Sequence, residues 1–393
     1  MKNGWVGCLA LGILIASTAC GGGGQSSQSP AAGTIKVGYP VALTGQYALF
    51  DGYIANGIKF AVDEINSHGG VGGVTKIDLV TVDQKSDSAT TAVVAQQLAD
   101  QKVSAMFAMC NADQEIALAT VAKRNSIPVF AVCNSNPAIA VTYDNWIAAG
   151  DAWTVLGAEA AEYMASKGYH NVYTLESPSS QYYNNGIKYM KASAQQNGLT
   201  ISGTDTFIGD QTDFGPQVTK LAHASPKPDV LYTPMAMPNA GALLKQIRAA
   251  GLSIPFMGGD GMDSPLTLQI GGDAATGLAY VTHGFPAPGS ATEKFYSNFN
   301  AKYGSPPKSI FTAIGYNVVQ VFASALQKSG SSDPAKLTTA LNSGFTVSGS
   351  LWDMSYKPNS RNAVQPVAVV GVQGGQFVLL NASYPKFVPP VSN

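Results

Sequence analysis

Residues 34–83 read TIKVGYPVALTGQYALFDGYIANGIKFAVDEINSHGGVGGVTKIDLVTVD. The opening, 34–43, is apolar almost throughout, as in a strand buried on both faces. Over 53–67 the period changes. Ile54, Ile58, Ala61, Val62 and Ile65 fall on one side of a helix, and Gly69-Gly70 ends it. Residues 76–83 return to a strand. Strand, helix and strand in this order form a βα unit, which predicts a parallel sheet with helices on both faces.

The same grammar runs on. Asp87 or Ser88 is expected to cap a helix through Leu98, 103–109 reads as a strand, and Asn111 with Gln114 three residues later looks like a capping box for a helix to Lys123. Residues 128–132 are the next strand. After 146–149 a second series begins, with strands near 171–175, 200–207, 229–234, 255–259 and 277–282 and helices such as 154–166 and 239–250. Helices at 292–303, 310–328 and 336–342 follow, then tail strands at 349–353, 364–373 and 376–380. Two series of similar size predict an α/β protein of two doubly wound parallel-sheet lobes. The late helices exceed what the second lobe needs, so some should return to the first. Ligands of such sheets sit beyond the carboxyl ends of the strands. Here those loops are 44–52, 84–87, 110–113 and 133–137 in the first lobe, and 176–183, 234–238 and 260–264 in the second.

Composition narrows the function. Charged residues are 12% of 393 and net charge is −1, so neither a basic surface for nucleic acid nor an acidic tail is present. The arginines are Arg124, Arg248 and Arg361 alone, which leaves few clamps for carboxylates or phosphates. At the N-terminus Lys2 precedes an apolar run over 6–16, of signal-peptide length and too short to span a bilayer. The run leads to Ser17-Thr18-Ala19-Cys20, similar to a lipobox with Ser17 where leucine is usual, so Cys20 is the expected lipidation site. An ordinary signal peptide cut near Ala19 is the other reading. Residues 21–33 are rich in glycine, serine and glutamine and read as a flexible tether. Of the remaining cysteines, Cys110 and Cys133 fall at the ends of what should be neighbouring parallel strands, about 5 Å apart, so a disulfide is expected in an exported chain. Two buried free thiols are its alternative.

Several marks now combine. Ile35-Lys36-Val37-Gly38, Leu43-Thr44-Gly45, Asn56-Gly57, Ala61 to Asn66 and Gly69-Gly70 resemble the opening of branched-chain amino-acid-binding proteins. These are class I periplasmic binding proteins that feed ABC importers. Asp213-Phe214, Pro228-Asp229, Gly258-Gly259-Asp260-Gly261, Gly277 and the stretch from Phe311 to Tyr316 agree in order and spacing. The resemblance implies a binding protein that is not an enzyme and needs no cofactor. It would work outside the cytoplasm as a monomer with the importer's membrane subunits, held to the membrane through its N-terminal lipid. The family fold implies three crossovers, placed near 145–150, 282–288 and 348–353. They divide the chain into a first lobe of 34–145 plus 288–347 and a second of 146–287 plus 348–393, after a signal peptide at 1–20.

The resemblance also implies site residues. Asn111, Cys133 and Ser135 match the positions that meet a ligand's α-carboxylate, where the family usually carries hydroxyls. Asn111 could equally be a plain helix cap. Asp260 matches the acid that receives the ligand's ammonium, against a role as a turn residue. Phe50 and Tyr183 match aromatic walls, one from each lobe, with Tyr182 able to replace Tyr183. Asp113 departs from the pattern and would repel an anionic ligand. Met235-Ala236-Met237 is a second departure, and the family's arginine near Ala148 is missing.

Two rival functions compete with this reading. An enzyme would need a nucleophile elbow, a His-Glu-x-x-His run or a Walker loop, and the sequence has none of these. Its histidines, His68, His170, His223 and His283, are scattered without metal-ligand spacing. A ligand-sensing receptor lobe uses the same fold and would be expected to come with a signalling segment.

Overall fold

The computed structural model describes Met1 and residues 33–391 other than Asp210. The expected signal peptide, the lipidation at Cys20 and the tether up to residue 32 lie outside the described residues. The chain opens with β1 (Gly33–Val41), α1 (Ala48–Ser67), β2 (Thr75–Asp83), α2 (Ser88–Asp100), β3 (Ala105–Ala108), α3 (Ala112–Arg124), β4 (Val129–Ala131), α4 (Ala138–Thr142) and β5 (Trp146–Ala148). These strands form one parallel sheet in the order β2-β1-β3-β4-β5.

The second series is α5 (Trp153–Ser166), β6 (Asn171–Glu176), α6 (Gln181–Ala194), β7 (Thr200–Thr206), α7 (Gly215–Ala222), β8 (Val230–Thr233), α8 (Asn239–Ala249), β9 (Phe256–Gly258), α9 (Leu266–Gly271) and β10 (Leu278–Thr282). After it come α10 (Ala291–Tyr303), α11 (Phe311–Ser329), α12 (Pro334–Asn342), β11 (Phe345–Ser348), β12 (Asp353–Tyr356), β13 (Val367–Gln373) and β14 (Gln376–Ser383). The second sheet runs β14-β13-β10-β9-β8-β6-β7, with β13 alone reversed and so antiparallel to both its neighbours, β10 and β14.

Each sheet buries both faces, and the period of two along its strands assigns the cores. In β3, Ala105 and Phe107 face α1 and α11, while Met106 and Ala108 face α2 and α3. In β8, Leu231 joins the cluster under α8, whereas Val230 and Tyr232 join the one under α5 and α6. The late helices α10 to α12 do return to the first sheet, burying Phe295, Phe299, Phe322, Leu337 and Leu341 there. Burial of each such ring or branched chain contributes about 1.5–3 kcal/mol. The α1–α11 crossing is tight enough to demand glycine. A Cβ on Gly57 would fall on the Thr312 carbonyl oxygen, and one on Gly315 on that of Ile54.

Three expectations are corrected. First, α1 begins at Ala48, so Phe50 and Asp51 stand on its first turn rather than on a loop. Second, Trp146–Ala148 pairs with β4, and Trp146 buries among the α2 and α3 side chains, so this stretch belongs to the first sheet, not the second lobe. Third, the tail strand expected at 349–353 is the turn of an antiparallel hairpin, β11 with β12. Gly349 N–H donates to Trp352 O at 3.2 Å and Ser350 N–H to Asn317 Oδ1 at 2.6 Å, which bends the chain where a strand was read. Leu351, Met354, Tyr356 and Ala363 bury in the first lobe's core. The last crossover therefore comes near Gln365, whose amide donates to Ala149 O at 3.0 Å, and not at 348–353. Among the described residues no helix is long and apolar enough to cross a membrane.

Candidate functional site

The carboxyl ends of the strands in both sheets face one another across a cavity of about 440 Å³, within the range of small-ligand sites. The first lobe lines it with Tyr47, Phe50, Asp51 and residues 110–113. The second contributes Ser179, Ser180, Tyr182, Tyr183, 236–239, Asp260 and Gly261, and Phe311 closes one side from the start of α11.

Edge-to-face packing holds the walls. Phe50 meets Phe311 with ring centroids 5.8 Å apart, Tyr182 meets Tyr183 at 5.4 Å and Trp153 at 5.2 Å, and Tyr183 meets Phe207 at 5.3 Å. Ser180 caps α6 by accepting from Tyr183 N–H, which sets both tyrosines on the first turn of that helix. Tyr47 is fixed from below, its N–H donating to Ser86 Oγ at 3.1 Å.

Asp260 is buried, and both its oxygens are engaged. Tyr182 donates to Oδ1 at 2.6 Å, and His283 Nε2 lies 3.1 Å from Oδ2. The other ring nitrogen of His283 lies 3.2 Å from Asp151 Oδ2, and Gln365 donates to Asp151 Oδ1 at 3.3 Å. Asp151, His283 and Gln365 belong one each to the three crossovers, so this cluster ties the hinge together beside the cavity. Burial alone would lower the imidazole pKa, but hydrogen bonds and charge from the two carboxylates outweigh it and lift the pKa to about 9. The Asp151 pKa is raised, because burial outweighs the histidine's pull. The carboxylates on either side favour the charged imidazole at neutral pH, with Nε2 facing Asp260, while the Asp151 main-chain N–H also lies 3.1 Å from Nδ1.

The first lobe holds a second set of acids. Asp51 accepts from Ala42 N–H at 2.8 Å and from the Asn111 amide at 3.1 Å, and burial pushes its pKa up to about 7. Asp113 is half-buried. Burial raises its pKa, while Gln181 N–H, from the first turn of α6 across the cleft, donates to it. Glu115 is buried behind them and accepts from Ser135 N–H at 3.3 Å and Asn136 N–H at 3.2 Å. Burial carries its pKa to about 8.

Cys110 and Cys133 are joined by a disulfide, with Cα atoms 5.3 Å apart. Cys110 lies close to Glu115 and to the Asp260–His283 pair, but the bond to Cys133 removes the thiolates that a metal would need at either grouping. Of the residues expected in the site, Phe50, Asn111, Tyr183 and Asp260 line the cavity, together with Tyr182. Cys133 and Ser135 are outside its lining and buried behind Cys110. The Ser135 hydroxyl sits 3.3 Å and 3.2 Å from the two sulfurs, so the disulfide takes up the group expected to bind a carboxylate. Asp51, Tyr47, Phe311 and the hinge histidine were not anticipated. The position of His283 directly after a strand, in a crossover, was the available signal for it.

The family model described as periplasmic binding protein matches residues 34–376. The chain belongs to this family. The leucine-, isoleucine-, valine-, threonine- and alanine-binding protein of Pseudomonas aeruginosa is 26% identical over 333 residues, 84% of this chain and 88% of that one. A branched-chain amino-acid transporter substrate-binding protein from Streptococcus pneumoniae, solved with isoleucine, superposes with a TM-score of 0.80 at 23% identity, covering 89% of this chain and 99% of that one. A solute-binding protein of an ABC transporter from R. palustris, solved with benzoate, gives 0.78 at 21%, covering 90% and 97%. At these identities the two structures speak for the fold. As a periplasmic binding protein the chain is an extracytoplasmic, non-catalytic solute-binding component of an ABC importer. Its cavity occupies the interlobe position that the two-lobed architecture provides.

Proposed function

We propose that this periplasmic binding protein captures an amino acid or a similar small polar molecule between its lobes, closes over it by a hinge, and presents the closed form to the importer as a lipid-anchored monomer. The observation that carries the reading is the 440 Å³ cavity walled by aromatic side chains from both lobes. Hydrogen bonds across the cleft support a closed form. The Asn185 amide donates to Ser135 O at 2.9 Å, and Ser309 Oγ and Ile310 N–H each donate to Asp263 Oδ1 at 2.9 Å. A solute that touches both walls favours this form through the contacts it gains there. The relatives' amino-acid and aromatic-acid ligands support the size class. Thermal-shift screening of the full chain against a metabolite panel tests the proposal. A small polar solute should raise the melting temperature in a concentration-dependent way, and a blank across the panel contradicts it.

A further inference from the structure

The ionisable side chains round the cavity are one-sided. Three carboxylates line it, Asp51, Asp113 and Asp260, and among the described residues no lysine, arginine or histidine does. Asp260 is already balanced by His283 behind it. The two side-chain amides of Asn111 and Asn239, the donors best placed to receive a carboxylate, are engaged elsewhere. The Asn111 amide donates to Asp51, and the Asn239 amide to Gly209 O and Gln211 O at 3.1 Å and 2.8 Å. Ser135 is turned to the disulfide. Helix N-termini at the cleft would attract an anion, but three of them face the chain's own acids. Asp51 lies in the first turn of α1, Asp113 in that of α3, and the same Asp113 carboxylate takes Gln181 N–H from α6.

What is left over is an acid beside aromatic faces. Asp113 receives one main-chain N–H and faces no cation. Tyr47, Asp51, Asp113 and Tyr183 line the same cavity, and burial pushes the Tyr47 phenol's pKa up to about 12. Phe50, Phe311 and Met237 form the apolar remainder. A carboxylate near tyrosine rings is a setting for an organic cation, since the ring faces and the acid both attract positive charge. A bare carboxylate brought to the same place meets like charge with no partner to offset it.

We infer that the solute is a small organic amine, held by its ammonium group at Asp113 between Tyr47 and Tyr183, with its apolar body over Phe50 and Phe311. This rests on the solute-binding reading above and narrows it: the amine-bearing end of an amino-acid-like molecule is read, and a free carboxylate is not.

The test is calorimetric titration of the full chain with shape-matched probes: benzylamine, benzamide and benzoate, then isoamylamine, 4-methylpentanoate and leucine. The amines should bind at least about tenfold more tightly than their carboxylate partners. Asp113→Asn should lower amine affinity about tenfold or more and leave benzamide affinity within about twofold, because the substitution removes the charge that the ammonium pairs with but keeps an oxygen that can accept from a neutral amide. Equal losses for amine and amide would mean that Asp113 acts only by closing the cleft onto α6, and would overturn the assignment. So would benzoate or leucine binding more tightly than the amines, or no binding by any amine. In those cases a hit elsewhere in the metabolite panel preserves solute binding, whereas a blank panel removes both readings.

Discussion

Replacing His283 with leucine strands two acids in the protein interior. The imidazole is fully buried between Asp151 and Asp260, whose side chains are 1% and 3% exposed. Removing one partner from such a buried set costs about 3–5 kcal/mol, because the charges left behind are neither paired nor hydrated. The titration of the histidine gives a second estimate. Its pKa rises from 6.5 to about 9 on folding, which corresponds to about 3 kcal/mol. Because the folded pKa is the higher one, this contribution is fully present below about pH 6.5 and is lost as pH rises through about 9. The net effect is smaller than the imidazole's own gain, since burial works against Asp151 in the same cluster. Urea unfolding followed by tryptophan fluorescence should show His283→Leu less stable by about 3 kcal/mol near neutral pH. The gap should narrow above about pH 9, where the parent loses its own imidazolium. Adding Asp151→Asn and Asp260→Asn to the variant should recover part of the loss. Stabilities within about 0.5 kcal/mol at neutral pH, with parallel pH curves, would refute a charged hinge cluster.

Cys110→Ser with Cys133→Ser should lower stability by about 3 kcal/mol, the loop-entropy value for a sequence separation of 23. Unchanged urea midpoints in oxidised and reduced protein would contradict this. Gly57→Ala and Gly315→Ala should each destabilise by at least about 1–3 kcal/mol, since the new methyl group meets a backbone carbonyl of the facing helix; a neutral effect in thermal melts would mean that the helices part easily. Cys20→Ala should move the protein from the membrane fraction to the soluble fraction, and unchanged fractionation counts against lipidation.

The βα repeat was legible because both-face burial writes itself as continuous apolar strands and one-sided helices. Residues 34–83 show both patterns. The hairpin at 345–356 was not, because its turn depends on Asn317, a residue on another element that accepts from Ser350 N–H. Propensity over 349–353 carries no trace of that partner. In the site, Phe50, Tyr183 and Asp260 were readable from the family pattern, since each sits where a strand or helix end must face the cleft. The surroundings of Asp260 were not readable. His283 is 23 residues from Asp260 and 132 from Asp151 in sequence, so only the side-by-side crossovers bring them together. Ser135 was misplaced for a similar reason: its hydroxyl is taken by a disulfide whose expected bond was read, but whose neighbours were not.

Capture of a solute between two lobes is tested most directly by calorimetric titration of the full chain with the strongest thermal-shift hit, run beside Phe50→Ala and Tyr183→Ala. Each variant removes one aromatic wall, from the first and second lobe respectively. One solute per chain should bind the parent, and each variant should lose about tenfold or more in affinity. Binding that survives both substitutions unchanged would place the solute outside the cleft and contradict the account.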